Sequence, residues 1–264
     1  MSAIVVDPGS LTVVLPPEQA LDRASMHLAN ALLGNPESAP GLEVLLGGLR
    51  LRFVSGSAVA VTGAEGMVKL NGSELPLNKA VRVAPGAVLE CGPALFGIRY
   101  YVAVQGGLEV QAEPLRAGRP LAFGRPGGNG FPAVNKPPRR ALDPDRPVVA
   151  RVSPGPDAQN YDAGTWLRLT KEPWTLSPDS DRVGARLLGR PLETRGAREP
   201  ATAAAPRTQP LISGSVLLPS SGLPIVALAG HPATSESPVI AVVREEDLDS
   251  LGQARPGQMV HLLG

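Results

Sequence analysis

Glycine and proline punctuate this chain every few residues, and that spacing decides most of what it can fold into. The 264 residues hold 30 Gly and 29 Pro. A helix interior loses about 1 kcal/mol at each glycine and about 3 kcal/mol at each proline, so a helical bundle or coiled coil is excluded. No Gly-X-Y period runs through the sequence, which excludes a collagen helix. Disorder fits poorly, because 43% of the residues are hydrophobic and arrive in short, β-branched runs. What remains is a β-rich globular chain of many short elements, long enough for one large domain or two small ones.

Charge narrows the partners. Lys plus Arg number 25 against 24 Asp plus Glu, and the aromatics are 4 Phe, 3 Tyr and 2 Trp. Without a basic stripe or stacking aromatics, no nucleic-acid partner is expected. Cys91 is the only cysteine, which excludes an intrachain disulfide and a cysteine-based zinc site. His27, His231 and His261 stand far apart, so no metal site is expected. No apolar run reaches the roughly 18 residues of a membrane helix. The first residues lack the basic segment and apolar stretch of a secretory signal. A cytoplasmic protein with no membrane partner is expected.

Residues 3–15 read as two short strands around the turn Asp7-Pro8-Gly9-Ser10. One clear helix is predicted over 18–33, with Leu21, Ala24, Leu28, Ala31 and Leu32 on one face. Gly34 or Asn35 supplies its left-handed cap, and Pro36 stops it. From Leu42 to Val104 the text is strand, turn, strand: LEVLLG, LRLRFVS, SAVAVTG, MVKLNG, KAVRVAPG, AVLECG and GIRYYVAVQGG. Asn71-Gly72 is the strongest tight-turn signal among them. A short echo links Pro85-Gly86 with Pro256-Gly257, each feeding a strand, and the segment RAGRPL from Arg116 is a looser third copy. Such scattered copies suggest two similar small barrels. The expected organisation is therefore a barrel over 1–110, a linker over 111–147, rich in Gly, Pro and Arg, and a second barrel over 148–264. Low-complexity residues 193–209 are expected to form a mobile loop. SGSVLLPSSGLPIVALAG reads as a hairpin, Glu245 to Gly252 as a short helix with acids in its first turn, and GQMVHLL as a closing strand.

Most catalytic signatures are missing: no phosphate-binding loop, dinucleotide fingerprint, G-x-S-x-G elbow or HExxH helix. Three loops carry the polar residues instead. In SPDSDRVG, Ser180, Asp181 and Arg182 sit between Pro178 and Gly184. These residues form either a turn that satisfies its own backbone or a corner in which Arg182 presents its fork to a carboxylate or phosphate. GHPATSESP follows the apolar run PIVALA, so a strand end would present His231, Thr234, Ser235 and Ser237. In RVSPGPD, Arg151 and Asp157 flank a stiff Pro-Gly-Pro turn.

The segments ALDRASMHLANALLGNPESAPGLEVLLGGLRLRF and PGAVLECGPALFGIRYYVAVQGG resemble the biotin-dependent carboxyltransferase subdomain A/B family. RVSPGPD, WTLSPDSDRVGARLLG, SGSVLLPSSGLPIVALAG and DLDSLGQARPGQMV extend the resemblance in the same order, from about 18 to 260. The combination of D-R-x5-A-N-x3-G-N with S-D-R-x-G-x-R-L-x-G carries most of it. The family includes the C subunit of the bacterial ATP-dependent 5-oxoprolinase, formerly called allophanate hydrolase subunit 2. It also includes the carboxyltransferase half of urea carboxylase and an antagonist of a sporulation kinase inhibitor.

The resemblance implies a mainly β fold, a cyclophilin-like pair of β-barrels with one N-terminal helix and short peripheral helices. It implies hydrolysis of a small lactam, 5-oxo-L-proline, to L-glutamate, with homologous B and A subunits as partners. ATP, with Mg, would be shared with those subunits, and no biotin would be attached to this chain. Asp181 and Arg182 are then the catalytic candidates. Arg151, Ser180, His231, Thr234, Ser235 and Ser237 are the candidates for holding substrate or anion. Two other readings come with the family: a non-catalytic module that binds a B-type subunit, and a carboxyltransferase-related subunit processing urea or allophanate. Family members usually carry a Q-T-T-G-G-Y-P loop where this chain has GHPATSESP.

Overall fold

In the computed structural model, which describes every residue except 110–112, 129, 135–137, 139–140 and 194–208, the chain divides into two units, Met1–Asp143 and Pro144–Gly264. The first contains β1 (Ser2–Pro8), β2 (Leu11–Leu15), α1 (Arg23–Leu33), β3 (Gly41–Leu45), β4 (Leu49–Phe53) and β5 (Ser57–Leu70). It continues through β6 (Ser73–Glu74), β7 (Ala80–Val83), β8 (Val88–Val104), β9 (Glu113–Pro114) and β10 (Pro120–Ala122). These ten strands make one half-barrel sheet in the order β10-β1-β4-β8-β3-β2-β9, with β5 on β8 and β6 and β7 on β5.

Alternation inside β5 explains why this sheet is covered on two sides. Val59 and Val61 point into the main core with Val14, Leu42, Leu51, Phe53 and Val102. Ala58 and Ala60, on the opposite face, join Ala103 beneath Ala29 and Leu33 of α1. Small residues on that face let the helix approach closely, while the β-branched face fills the interior.

Two departures from the sequence reading have one cause. SAVAVTG and MVKL are a single strand, β5, and AVLECG and GIRYYVAV are a single strand, β8. The interior glycines that read as breaks instead sit at register shifts between Gly63 and Val68, where bulges bend the ladder without ending it. The turn at Asn71-Gly72 does form, with φ of 52° and 80°, matching the mirror-image hairpin turn. Within 111–147, expected as a linker, β9 pairs with β2 and β10 with β1.

The predicted helix begins later than expected. Pro17–Gln19 is a separate 3-10 turn, and α1 starts at Arg23 because the Asp22 carboxylate accepts from the Ser25 amide at 2.9 Å. Its buried face runs through Ser25, Met26, Leu28, Ala29, Asn30 and Leu33. That face is rotated from the expected one, because Ala31 is exposed. Gly34, at φ 67°, is the cap.

The second unit holds β11 (Val148–Pro154), α2 (Ala163–Lys171), β12 (Trp174–Leu176), β13 (Gly184–Leu188), β14 (Gln209–Pro210) and β15 (Ser215–Leu217). It ends with β16 (Ile225–Ala227), β17 (Thr234–Ser235), β18 (Val239–Val243), α3 (Glu245–Gly252) and β19 (Met259–Leu263). Seven of these close a barrel in the order β11-β18-β15-β16-β13-β12-β19, while β14 and β17 pair apart from it. The helix α2 is capped by Asp162, which accepts from the Thr165 amide. The sequence reading places no helix there. The expected loop at 193–209 lies almost wholly outside the described residues.

The repeated turns are one device used three times. Ala87 donates to Ala84 at 3.1 Å, Gln258 to Arg255 at 3.0 Å and Arg119 to Arg116 at 3.2 Å. Each has a glycine of φ 81–85° at its third position. No helix among the described residues is long and apolar enough to cross a membrane.

Candidate functional site

The register of the barrel brings the sequence-predicted residues into three groups rather than one. Gly184 pairs with Ala227, so the turn before β13 and the loop after β16 continue side by side. The Gly230 amide donates to the Arg182 carbonyl at 2.7 Å, and Leu228 to Val183 at 3.0 Å. Ser180, Asp181, Arg182 and His231 thus share one rim of the barrel.

The turn is held by its own side chains. Asp181 Oδ1 accepts from the Val183 and Gly184 amides at 2.8 and 3.1 Å. Ser180 Oγ accepts from the Arg186 amide at 3.0 Å, and Ser177 Oγ from Asp179 at 3.1 Å. Ser177-Pro178 therefore opens a turn, with the Ser180 amide donating to the Ser177 carbonyl at 3.1 Å. The backbone-satisfying reading of SPDSDRVG holds for Ser180 and Asp181, while Arg182 is half-buried beside Gly230. His231 Nδ1 lies 2.7 Å from the Pro232 carbonyl. A carbonyl only accepts, so the contact puts the proton on Nδ1 and leaves Nε2 as the acceptor in the neutral ring.

Thr234, Ser235 and Ser237 form the second group. Ser235 and Thr234 pair with Gln209 and Pro210, and Ser235 Oγ accepts from the Ser237 amide at 3.0 Å. Gln209 Nε2 donates to the Ser237 carbonyl at 3.1 Å and to Asp157 Oδ2 at 2.8 Å. The same Asp157 oxygen accepts from the Val239 amide at 2.8 Å. RVSPGPD therefore meets GHPATSESP through Asp157. Burial and the Asp157 charge raise the nearby Tyr161 hydroxyl above its ordinary range.

Arg151 belongs to neither group. Its Nε and Nη2 donate to the two carboxylate oxygens of Asp247, each at 2.8 Å, and its backbone amide donates to Asp247 as well. This bidentate pair raises the guanidinium pKa and ties β11 to α3. Arg151, expected to hold a substrate carboxylate, is engaged in this structure by one of the chain's own.

Sequence reasoning missed a buried polar network in the first unit. The Tyr101 hydroxyl donates to Glu43 Oε2 at 2.8 Å and accepts from the Asp22 amide at 2.8 Å. Glu43 Oε2 also accepts from the Leu21 amide at 2.9 Å, and Arg99 Nε lies 3.5 Å from Oε1. Burial, then the Glu43 charge, holds the Tyr101 pKa well above the phenol range. The available signal was a carboxylate inside the otherwise apolar LEVLL. The Asn30 and Asn35 of D-R-x5-A-N-x3-G-N are likewise bonded inward: Asn30 to Ala39, Asn35 to Asn30, Val104 and Gly106.

The first unit also carries an open cleft of about 480 Å³ lined by Leu46, Arg50, Met67, Lys69, Glu90 and Pro93 among others. Cys91 borders it, but burial pushes its thiol up to about 12, which leaves no thiolate at neutral pH. Among the described residues, no three His, Cys, Asp or Glu side chains gather as a metal-holding group.

The chain is similar to known proteins along most of its length. The family model for the carboxyltransferase domain, subdomain A and B, matches residues 15–263. The C subunit of the Haemophilus influenzae 5-oxoprolinase is 31% identical over 253 residues, covering 91% of this chain and 80% of that protein. Its counterpart in Escherichia coli is 29% identical over 258 residues, covering 92% and 81%. The crystal structure of the K. lactis urea amidolyase superposes with a TM-score of 0.85 at 23% identity. That superposition covers 99% of this chain but only 18% of the amidolyase, so the likeness is one of fold within a much longer protein. With a match from the end of β2 to the end of β19 and a shared fold, this chain belongs to the carboxyltransferase domain, subdomain A and B, family.

Proposed function

We propose that this chain is the C subunit of an ATP-dependent 5-oxoprolinase-type complex, acting with homologous B and A subunits on a small lactam. The observation that carries this reading is co-extension: a relative named as the C subunit of a 5-oxoprolinase is matched along most of both chains. A lactam is a poor electrophile because its nitrogen donates into the carbonyl. Phosphorylating the amide oxygen from ATP releases ADP and gives an activated imidate carbon that water attacks; the ring C–N bond then breaks to leave an acyl phosphate, which a second water hydrolyses to glutamate and phosphate. This chain has no phosphate-cradling glycine loop, so we assign ATP and its Mg chiefly to the partner subunits.

Within this chain we assign Arg182 and His231 to the substrate or its phosphate, since they share one rim. Asp181 and Ser180 act as positioning residues that hold the Arg182 turn. Thr234, Ser235 and Ser237 line the adjoining loop. The test is reconstitution: purified chain, B and A subunits, 5-oxoproline and ATP should release glutamate and ADP together. Arg182→Ala should lower turnover by at least about tenfold, in line with loss of one charged contact, with unchanged thermal stability. Full turnover in that variant removes Arg182 from the site.

One observation favours a second reading, a non-catalytic module that binds a B-type subunit. In the SPDSDRVG turn, the Ser177, Ser180 and Asp181 side chains are engaged by the turn's own backbone. Copurification with the B subunit and no turnover in the full mixture would support it.

A further inference from the structure

The loop that leaves β16 is held at both ends, and the two joints differ in kind. Where it starts, the Gly230 amide donates to the Arg182 carbonyl, and a Cβ on Gly230 would come within 2.8 Å of that oxygen. Backbone alone makes this joint. Where the loop ends, the Asp157 amide donates to the Val239 carbonyl at 3.0 Å, and Asp157 Oδ2 accepts from the Val239 amide at 2.8 Å. Gly155 lets the Asp157 turn sit this close. Its amide donates to the Ile240 carbonyl at 3.0 Å, and a Cβ there would lie 2.8 Å from the Ala241 nitrogen. Between the two joints, Gln209 Nε2 bridges Asp157 Oδ2 to the Ser237 carbonyl, and Leu211 donates to the Ala233 carbonyl at 2.9 Å.

Barrel closure does not require the Gln209 bridge. β14 and β17 pair apart from the seven closing strands, and the two Gln209 contacts reach residues 52 and 28 positions away. Asp157 and Gln209 are both half-buried, so they fix the place of a loop and not the packing of a core. What that loop carries is hydroxyls, from Thr234, Ser235 and Ser237. Ser235 Oγ accepts from the Ser237 amide, which leaves its proton to donate to a ligand oxygen. The same stretch begins at His231, beside the Arg182 turn. Shifting the Asp157 joint therefore shifts the hydroxyls relative to Arg182, the kind of support a binding constellation needs behind it.

We infer that Asp157 and Gln209 are positioning residues for lactam binding, holding the 233–238 loop so that its hydroxyls and Arg182 reach one substrate. This inference rests on the lactam reading above. One Asp157 oxygen takes both side-chain and backbone donors, so Asp157→Asn, whose carbonyl can stand in that place, keeps both bonds, and Asp157→Ala keeps neither. Gln209→Glu withdraws the donor and sets two carboxylates against each other. Adding Asp157→Asn to Gln209→Glu turns that clash into an amide–carboxylate pair. The experiment measures KM and kcat for 5-oxoproline in the reconstituted complex, and amide exchange and thermal midpoint in the full chain. Asp157→Ala and Gln209→Glu should each raise KM by about tenfold with kcat within about twofold. Asp157→Asn should stay within about twofold of wild type and should recover most of the KM lost in Gln209→Glu. Exchange over 233–239 should quicken in Asp157→Ala while β15 and β16 keep their protection. A lowered thermal midpoint with unchanged KM, or unchanged exchange over 233–239, overturns the positioning role and leaves the lactam reading standing. No glutamate from the wild-type complex overturns the lactam reading and this role with it.

Discussion

The Tyr101 hydroxyl donates to the Glu43 carboxylate across 2.8 Å in a setting where both side chains are buried. Because the same hydroxyl accepts from the Asp22 amide, it links the core of the half-barrel to the cap of α1. Tyr101→Phe keeps the ring and deletes the link, withdrawing a donor from a buried carboxylate. The expected loss is ~1–3 kcal/mol, read from the urea midpoint. Wild-type stability in that variant would show that the hydroxyl contributes nothing.

Asn35 makes three bonds at the end of α1, to the Asn30 side chain, the Val104 carbonyl and the Gly106 amide. Asn35→Ala should cost about 1–3 kcal/mol. Asn35→Asp, which still accepts from Gly106, should fall between. Equal stability of all three proteins would refute the role.

Asp181 offers a clean separation of structure from chemistry. Asp181→Asn retains the acceptor for the Val183 and Gly184 amides, and Asp181→Ala does not. Alanine should cost on the order of 1 kcal/mol, while asparagine should keep both stability and turnover in the reconstituted complex. Turnover lost in the asparagine variant at full stability would place the carboxylate in the reaction itself.

The Arg151–Asp247 pair is exposed on the arginine side and screened by solvent, so its coupling is expected to be small and salt-sensitive. A double-mutant cycle with Arg151→Ala and Asp247→Ala should show positive coupling in low salt that fades in high salt. Turnover should be unaffected by Arg151→Ala, opposite to Arg182→Ala.

Acid should loosen α2 first. The Asp162 carboxyl is held below its ordinary range by bonds from Thr165, and Glu172 by its bond from Arg168. A carboxyl depressed in the folded state stabilises above its unfolded value and loses that contribution as pH falls through the folded one. The urea midpoint should therefore decline below about pH 4, and Asp162→Asn should flatten the decline. An unchanged slope would show that the cap does not couple to unfolding.

Local chemistry was readable where it decides structure locally. Asn71-Gly72, Pro85-Gly86 and Pro256-Gly257 turn as their residues dictate, and α3 occupies the predicted Glu245–Gly252. Long-range pairing was not readable. Arg151 meets Asp247 across 96 residues, and no spacing rule reports that. The same holds for Glu43 and Tyr101, 58 residues apart. Gly63 and Gly66 misled for the opposite reason: a glycine that ends a strand and one that bulges it look identical until the partner strand is known.

That last ambiguity has a consequence for how this unit can change. β8 pairs with β4 through Arg50–Arg52 and with β3 through Leu42–Leu45, and β5 runs beside both stretches. Two sheets' worth of geometry thus hang on one pair of backbones. Adding or removing one residue between Gly63 and Val68 would turn one half of β5 to the opposite face relative to the other, so that either Val59 and Val61 would meet α1 or Val68 would leave the core. Length variation among relatives is therefore expected only at the ends of this ladder, and the bulged middle behaves as a fixed ruler against which the cleft and the helix are both measured.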